Sequence, residues 1–327
     1  MVSSHSHCHG EKKHISSLSI IMAKVLIATE KPFAAAAVAG IKEVIEGAGN
    51  ELVLLEKYTE KAQLLHAIAE VEAVIIRSDK IDAEVLDAAK NLKIVVRAGA
   101  GYDNVDLQAA TAHNVVVENT PGQNANAVAE LVLGMLVFGV RNFYNGKAGT
   151  ELMGKTIGIL AFGNVGRNVA RIAKGFGMNV IAYDAYCPKD VIEAAGVTAV
   201  DSQDALFEQA DIVSLHIPAT AETKNSINYA LVSKLKKGGI LVNTARKEVI
   251  NEPELIKLLA DRTDLRYLTD IKPDADADFA QFEGRYFSTP KKMGAQTAEA
   301  NTNAGIAAAK QINAYFSEGC TRFQVNM

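Results

Sequence analysis

The chain has 327 residues, with no tryptophan, only seven prolines and only three cysteines. The cysteines, Cys8, Cys187 and Cys320, are far apart and form no CxxC pair. Neither a disulfide framework nor a zinc site is suggested, and a reducing cytoplasm is the expected compartment. An excess of one charge is also missing: 34 Lys plus Arg stand against 38 Asp plus Glu, a net of −4. Bulk charge therefore offers nothing to nucleic acid or to an anionic membrane, and any anion site must be local. No run approaches the ~18 apolar residues that span a bilayer. The longest apolar stretch, Leu131 to Val140, reads as a buried helix. Internal repeats are absent as well.

What is present is ordinary globular material, 49% hydrophobic and 22% charged, which excludes disordered and fibrous classes. The length suggests two domains at ~100–200 residues each. Residues 1–22 stand apart as a polar leader, an added extension or a misassigned start, holding four of the seven histidines. His5, His7, Cys8, His9 and His14 are possible metal donors by type, but the leader lacks a scaffold to fix their geometry, so no metal is expected. Its apolar patch is too short and too broken by serines for a secretory signal.

From Val25 onward, short β-branched runs alternate with longer stretches of helical period, the pattern of a parallel sheet covered by helices. Strands are expected at 25–29, 51–56, 73–78, 93–99 and 114–119. A long helix from about Ala125 to Gly139 leads to a second series at 155–160, 179–184, 211–216, 238–244 and 265–270. An Ala-rich helix around 301–316 follows, and after it only the short FQV segment at the end reads as strand. Packing that helix back on the first block makes the first domain discontinuous.

The second block opens on a dinucleotide-binding turn. After strand 155–160, Ala161, Gly163 and Gly166 occupy the three positions of G-x-G-x-x-G. Gly163 lets backbone approach a pyrophosphate, Gly166 lets helix pack on strand, and the helix N-terminus offers N–H groups to the anion. Ala161 departs from the motif. Asp184 ends the next strand 18 residues beyond Gly166, where a carboxylate binds ribose hydroxyls and repels the extra phosphate of NADP. The expected cofactor is NAD.

With these segments in view, residues 23–327 resemble the D-isomer-specific 2-hydroxyacid dehydrogenase family, most of all its short D-3-phosphoglycerate dehydrogenases without a C-terminal regulatory domain. The resemblance rests on RSDKIDAEVLDAAKNLKIVVRAGAGYDNVDL, VENTPGQNANAVAELVLGM, KTIGILAFGNVGRNVARIAKGFGMNVIAYDAY, ADIVSLHIPATAETKNSIN and KKGGILVNTARKEVINEPEL. It implies an α/β protein with a Rossmann NAD-binding domain (120–297) inserted into a flavodoxin-like substrate-binding domain (23–119 with 298–327). It implies a homodimer or homotetramer in the cytoplasm, a phosphorylated 2-hydroxy acid as substrate, and no nucleic-acid or membrane partner.

Residue by residue, the resemblance makes Arg246 the group that binds substrate carboxylate and carbonyl, a role that a planar two-donor guanidinium suits. It makes the loop at Gly99 and Ala100 a source of backbone N–H groups for the carboxylate. Arg77, Ser78, Arg97 and Asn124 match positions used for the substrate's anionic groups. Asn164 and Val165 lie over the pyrophosphate, and His216, Ile217 and Pro218 lie beside the cofactor. Thr244 and Ala245 line the nicotinamide side, Asp270 bonds the carboxamide, and Gly294 and Ala295 complete that wall.

One part of the family pattern is missing. The usual catalytic glutamate is Ala275 here, flanked by Asp274 and Asp276, and the usual histidine falls on Lys292, or on Lys291 if the alignment is anchored at Pro290. A lysine can serve as acid/base when its pKa is brought down, as Arg246 and an apolar nicotinamide face would do, whereas Asp274 as partner would raise it. The expected reaction is NAD-dependent oxidation of 3-phospho-D-glycerate to 3-phosphohydroxypyruvate, the first step toward serine. The alternatives are another D-2-hydroxyacid dehydrogenase, such as a glyoxylate or hydroxypyruvate reductase, and a non-catalytic NAD-binding partner protein.

Overall fold

The computed structural model describes residues 22–326. The leader's histidines and Cys8 lie outside the described residues. The chain divides into two compact units, one running to Asn124 and resuming at Thr297, the other comprising Ala125–Gln296. The junctions thus fall at 124–125 and 296–297, where the sequence suggests 119–120 and 297–298. Residues 120–124 form a turn that stays with the first sheet: Thr120 donates its N–H to Gly99 O and its hydroxyl accepts the Gly99 N–H.

The first unit holds five parallel strands, β1 (Lys24–Thr29), β2 (Glu51–Glu56), β3 (Ala73–Ile76), β4 (Ile94–Arg97) and β5 (Val116–Asn119), in the order β2-β1-β3-β4-β5. This is the flavodoxin-like order. Alternation along β1 sends Leu26 and Ala28 to one face and Val25 and Ile27 to the other, each face having its own core. The second face is closed by helices Ala35–Gly47 and Ala298–Glu318, the latter contributing Ala304, Ala308, Ala309 and Ile312. Thr297 caps that long helix through Ala300 N, and Gly319 ends it at φ 66°.

The second unit holds seven parallel strands: β6 (Thr156–Leu160), β7 (Asn179–Tyr183), β8 (Thr198–Ala199), β9 (Ile212–Leu215), β10 (Ile240–Asn243), β11 (Arg266–Thr269) and β12 (Tyr286–Ser288). Their order is β12-β11-β10-β9-β6-β7-β8. Helix Ala125–Val140 packs on the face formed by Ile157, Ile159, Ile212, Val242 and Leu268. The opposite face carries Leu160, Val213, Leu215, Leu241 and Tyr267. A doubly wound α/β architecture thus describes both units.

Several expected strands are shorter than their apolar runs. The run at 93–99 pairs only over Ile94–Arg97, because Ala98 and Gly99 turn away at the carboxyl edge. The FQV segment forms no strand: Gln324 makes one antiparallel bridge to Glu118, and Val325 N–H bonds Val117 O. β8 and β12, edge strands of two and three residues, are too short to show a period in sequence.

Candidate active site

In the first unit the strand order reverses between β1 and β3, and the loops beyond their carboxyl ends carry the anion-binding candidates. Ile76 lies opposite Arg97 in register, so Arg77 and Arg97 leave neighbouring strand ends. Arg77 is half-buried, donates through Nη1 to Lys31 O (3.0 Å) and Pro32 O (3.1 Å), and lies over the Phe33 ring at 5.3 Å. Burial lowers its pKa, with the Asp79 charge opposing. Arg97 is lowered by burial and then by the positive charge of Arg77. Its Nη1 donates to Ala98 O, and its Nε is buried without a partner.

Neither arginine forms an ion pair among the described residues, so two cations sit on adjacent strand ends with no carboxylate bonded to either guanidinium. Ser78 is exposed and Asn124 half-exposed.

Gly99 fills a different role from the one expected of it. Its N–H donates to Thr120 Oγ1 at 2.8 Å, so it has none to offer a carboxylate. Its φ of +148°, which L side chains rarely adopt, explains the glycine instead. Ala100 takes the Asn119 side-chain amide on its carbonyl, and its N–H donates to no acceptor among the described residues.

In the second unit the turn after β6 has the form a pyrophosphate needs. Helix Asn164–Gly175 starts at Gly163, which supplies no side-chain cap, and its first i→i−4 bond is from Arg167 N to Gly163 O. The N–H groups of Asn164, Val165 and Gly166 are left for an anion. A Cβ on Gly163 would meet nothing within 4 Å, whereas one on Gly166 would lie 2.5 Å from Ala161 O. Ala161 itself is at φ +75°, the left-handed conformation that glycine serves elsewhere. Asp184 accepts from Phe162 N (2.7 Å) through Oδ2 and from Tyr186 N (2.8 Å) and Cys187 N (3.0 Å) through Oδ1. Those bonds hold a carboxylate at the end of β7 where ribose hydroxyls can donate to its remaining lone pairs.

Two buried oxygens near the ends of β10 and β11 have no hydrogen-bond partner among the described residues. Asp270 is fully buried; Oδ2 accepts from Gly294 N (2.8 Å) and Met293 N (3.3 Å), and Oδ1 accepts from nothing. Burial raises its pKa, with those N–H groups and the Lys292 charge opposing. Thr244 Oγ1 is likewise buried and unpartnered. An amide and a ribose are the kinds of donor that relieve such atoms, so the residues present fit a nicotinamide cofactor. His216 directly follows β9 with Nε2 2.8 Å from Ser214 Oγ, and burial pulls its pKa down to about 3, so it stands neutral. Ile217 and Ala245 are buried beside it, and Pro218 is exposed.

Arg246 is exposed and uses Nη1 on Ala245 O at 2.8 Å. Its backbone is held by Asn243, which donates through Nδ2 to Arg246 O (3.0 Å) and accepts from Ala245 N (2.9 Å). Thr269 Oγ1 in turn donates to Asn243 O at 2.7 Å. Asn243 and Thr269 are supporting residues that no motif in the sequence singles out; the available signal is a polar residue at the carboxyl end of a strand, directly after apolar ones.

Lys292 forms no ion pair among the described residues. Its side chain is exposed, and its pKa is lowered by partial loss of hydration at the ammonium and then by the Arg246 charge, while Asp270 and Glu248 pull the other way. Lys291 is exposed and uses its carbonyl to accept from Thr289 Oγ1. Asp274 pairs with Lys247 at 3.0 Å, and Asp276 accepts from Tyr286 OH at 2.6 Å. The carboxylate considered as a partner for Lys292 is thus engaged with a different lysine.

The family model described as D-isomer specific 2-hydroxyacid dehydrogenase, NAD binding domain, matches residues 139–282. An NAD+-bound 3-phosphoglycerate dehydrogenase from Entamoeba histolytica is 47% identical, covering 94% of this chain and 99% of its own, with a TM-score of 0.80. A hydroxypyruvate reductase from Thermotoga maritima is 37% identical over 285 residues, 80% of this chain and 90% of the relative. A D-3-phosphoglycerate dehydrogenase from Methanocaldococcus jannaschii is 34% identical over 284 residues, 82% of this chain but 54% of the relative. The chain thus spans about half the length of that curated phosphoglycerate dehydrogenase. It belongs to the D-isomer-specific 2-hydroxyacid dehydrogenases, a family of NAD-dependent oxidoreductases, and its cofactor is NAD. No helix among the described residues is long and apolar enough to cross a membrane.

Proposed function

We propose that the protein oxidises 3-phospho-D-glycerate to 3-phosphohydroxypyruvate in the cytoplasm, as the first step toward serine. The observation that carries this reading is the pair Arg77 and Arg97, two guanidiniums on adjacent strand ends without a carboxylate partner. A substrate with a carboxylate alone is already served by Arg246, so a second cationic site calls for a second anionic group. Bound NAD+ supplies the hydride acceptor. Arg246 holds the substrate carboxylate and polarises the oxygen that becomes a carbonyl. Lys292 takes the proton from the C2 hydroxyl when its amine is neutral, a form that the nearby Arg246 charge makes more accessible. Arg77, Arg97, Ser78 and Asn124 hold the phosphate. A homodimer or homotetramer is the expected assembly, which light scattering on the purified protein reads.

The test is absorbance at the NADH wavelength when purified protein meets NAD+ with 3-phosphoglycerate or with glycerate. Turnover of the phosphorylated acid in clear preference is expected. The Thermotoga maritima relative favours a second reading, hydroxypyruvate reduction, and preference for glycerate would move the assignment there. NAD binding without turnover of either acid would instead describe a non-catalytic NAD-binding protein.

A further inference from the structure

Asp79 is 4% exposed and has no cation bonded to it among the described residues. Its Oδ2 accepts from Tyr58 OH (2.6 Å) and Glu30 N (2.9 Å), and its Oδ1 accepts from Arg77 N (3.1 Å). Glu30 follows β1, Tyr58 follows β2 and Arg77 follows β3, so one carboxylate ties together three loops where the strand order reverses. A fourth loop joins from the other side. Asn104, beyond β4, donates through Nδ2 to Arg77 O (3.0 Å) and to Asp79 O (2.6 Å). Arg77 is therefore gripped at its N–H by Asp79, at its carbonyl by Asn104 and at its guanidinium by Lys31 O and Pro32 O.

A buried carboxylate close to two arginines ordinarily pairs with one of them. Here its lone pairs go to two backbone N–H groups and a phenol, while its charge is still felt by both Arg77 and Arg97. It offsets their mutual repulsion and occupies none of their guanidinium donors.

We infer that Asp79, oriented by Tyr58, is a positioning residue for phosphate recognition: it fixes Arg77 at the strand-order reversal without taking any guanidinium donor, so the donors not bonded to backbone carbonyls are left for a phosphate dianion. This rests on the reading that Arg77 and Arg97 hold the substrate phosphate. Tyr58→Phe removes one donor to Asp79 and touches neither arginine. The lost hydrogen bond is felt by Arg77 only through a second residue, so its effect is smaller than that of deleting a direct contact. We expect Tyr58→Phe to raise KM for phosphohydroxypyruvate roughly 3- to 10-fold with kcat little changed, and to leave kcat/KM for hydroxypyruvate within about 2-fold.

Asp79→Asn goes further, because the amide turns a donor toward at least one of three groups that themselves donate. A loss of about 10-fold or more, again confined to the phosphorylated substrate, is expected of it. If Asp79→Asn does not fold, Tyr58→Phe decides alone. If hydroxypyruvate turns over too slowly to read, the rise in KM with kcat held decides.

Arg77→Ala separates this inference from the reading beneath it. Should Arg77→Ala abolish the preference for the phosphorylated substrate while Tyr58→Phe and Asp79→Asn retain it, the positioning role is overturned and the phosphate reading stands. An unchanged preference in Arg77→Ala overturns both. Equal losses on the two substrates in Tyr58→Phe, or a fall in kcat with KM unmoved, show that Asp79 only supports the fold.

Discussion

Glu118 is a carboxyl at 1% exposure, with Oε1 accepting from Gln311 Nε2 at 3.0 Å and Oε2 unpartnered. Burial pushes its pKa up. The folded state then holds this proton more tightly than the unfolded chain does, so stability is fullest below the unfolded value and declines as pH rises through the interval up to the folded one. Glu118→Gln should raise Tm by about 2–4 °C at pH 8 and give no gain at pH 4, read by thermal melts at the two pH values. An equal gain at both would assign the effect to packing instead of charge. Lys292 makes the converse case within the proposed reaction, because its neutral form is the one that accepts a proton. Oxidative turnover should therefore increase as pH rises through its lowered pKa, and reductive turnover should decrease. Lys292→Ala should cost about 10²- to 10⁴-fold in kcat, and Lys292→His should move the oxidative rise toward about pH 6.5. Wild-type turnover in the alanine variant would remove Lys292 from the chemistry.

Among the elements, the turn after β6 is legible in sequence because strand, glycines, helix and acid each leave a local mark. Its one irregularity is local too: Ala161 stands at φ +75°, a conformation that costs an L-residue roughly 1–2 kcal/mol. Ala161→Gly should therefore stabilise the protein by about 0.5–1 kcal/mol after the entropy cost of glycine, the reverse of the usual effect, as chemical denaturation can measure. A loss of stability would mean that the Ala161 methyl contributes packing beyond that strain. Other elements are not legible in this way. Asn142, Phe143 and Tyr144 all have φ between +53° and +55° with no glycine among them. Their conformation is met by partners distant in sequence: the Phe287 ring lies 6.0 Å from that of Phe143, and Arg266 Nη2 donates to Asn142 Oδ1 at 2.8 Å. The candidate site divides the same way. Arg77, Arg97, Arg246 and Lys292 can be picked out by residue type at strand ends, whereas the diversion of Asp274 to Lys247 and of the Gly99 N–H to Thr120 depends on three-dimensional packing.

Across the whole molecule, the two units differ in how the chain supplies them. Ala125–Gln296 is continuous and has its own sheet, with a core on each face. Expressed alone, it should fold and bind NAD in a calorimetric titration, since Gly163, Asp184 and Asp270 all lie within it. The other unit needs both of its segments. Residues 22–124 expressed without 297–326 should fail to show a cooperative thermal transition, because Val25, Ile27 and Val96 lose the helix that carries Ala308, Ala309 and Ile312. A sharp transition in that fragment would show that helix Ala35–Gly47 covers the face unaided. The return of helix Ala298–Glu318 also sets a timetable. During synthesis, the first sheet leaves the ribosome with one apolar face covered only by helix Ala35–Gly47 and keeps it so while the whole cofactor unit is made and folds. Its last covering element is translated only after that unit, so through that interval the first sheet is incomplete and more exposed to aggregation and to chaperones than the finished cofactor unit.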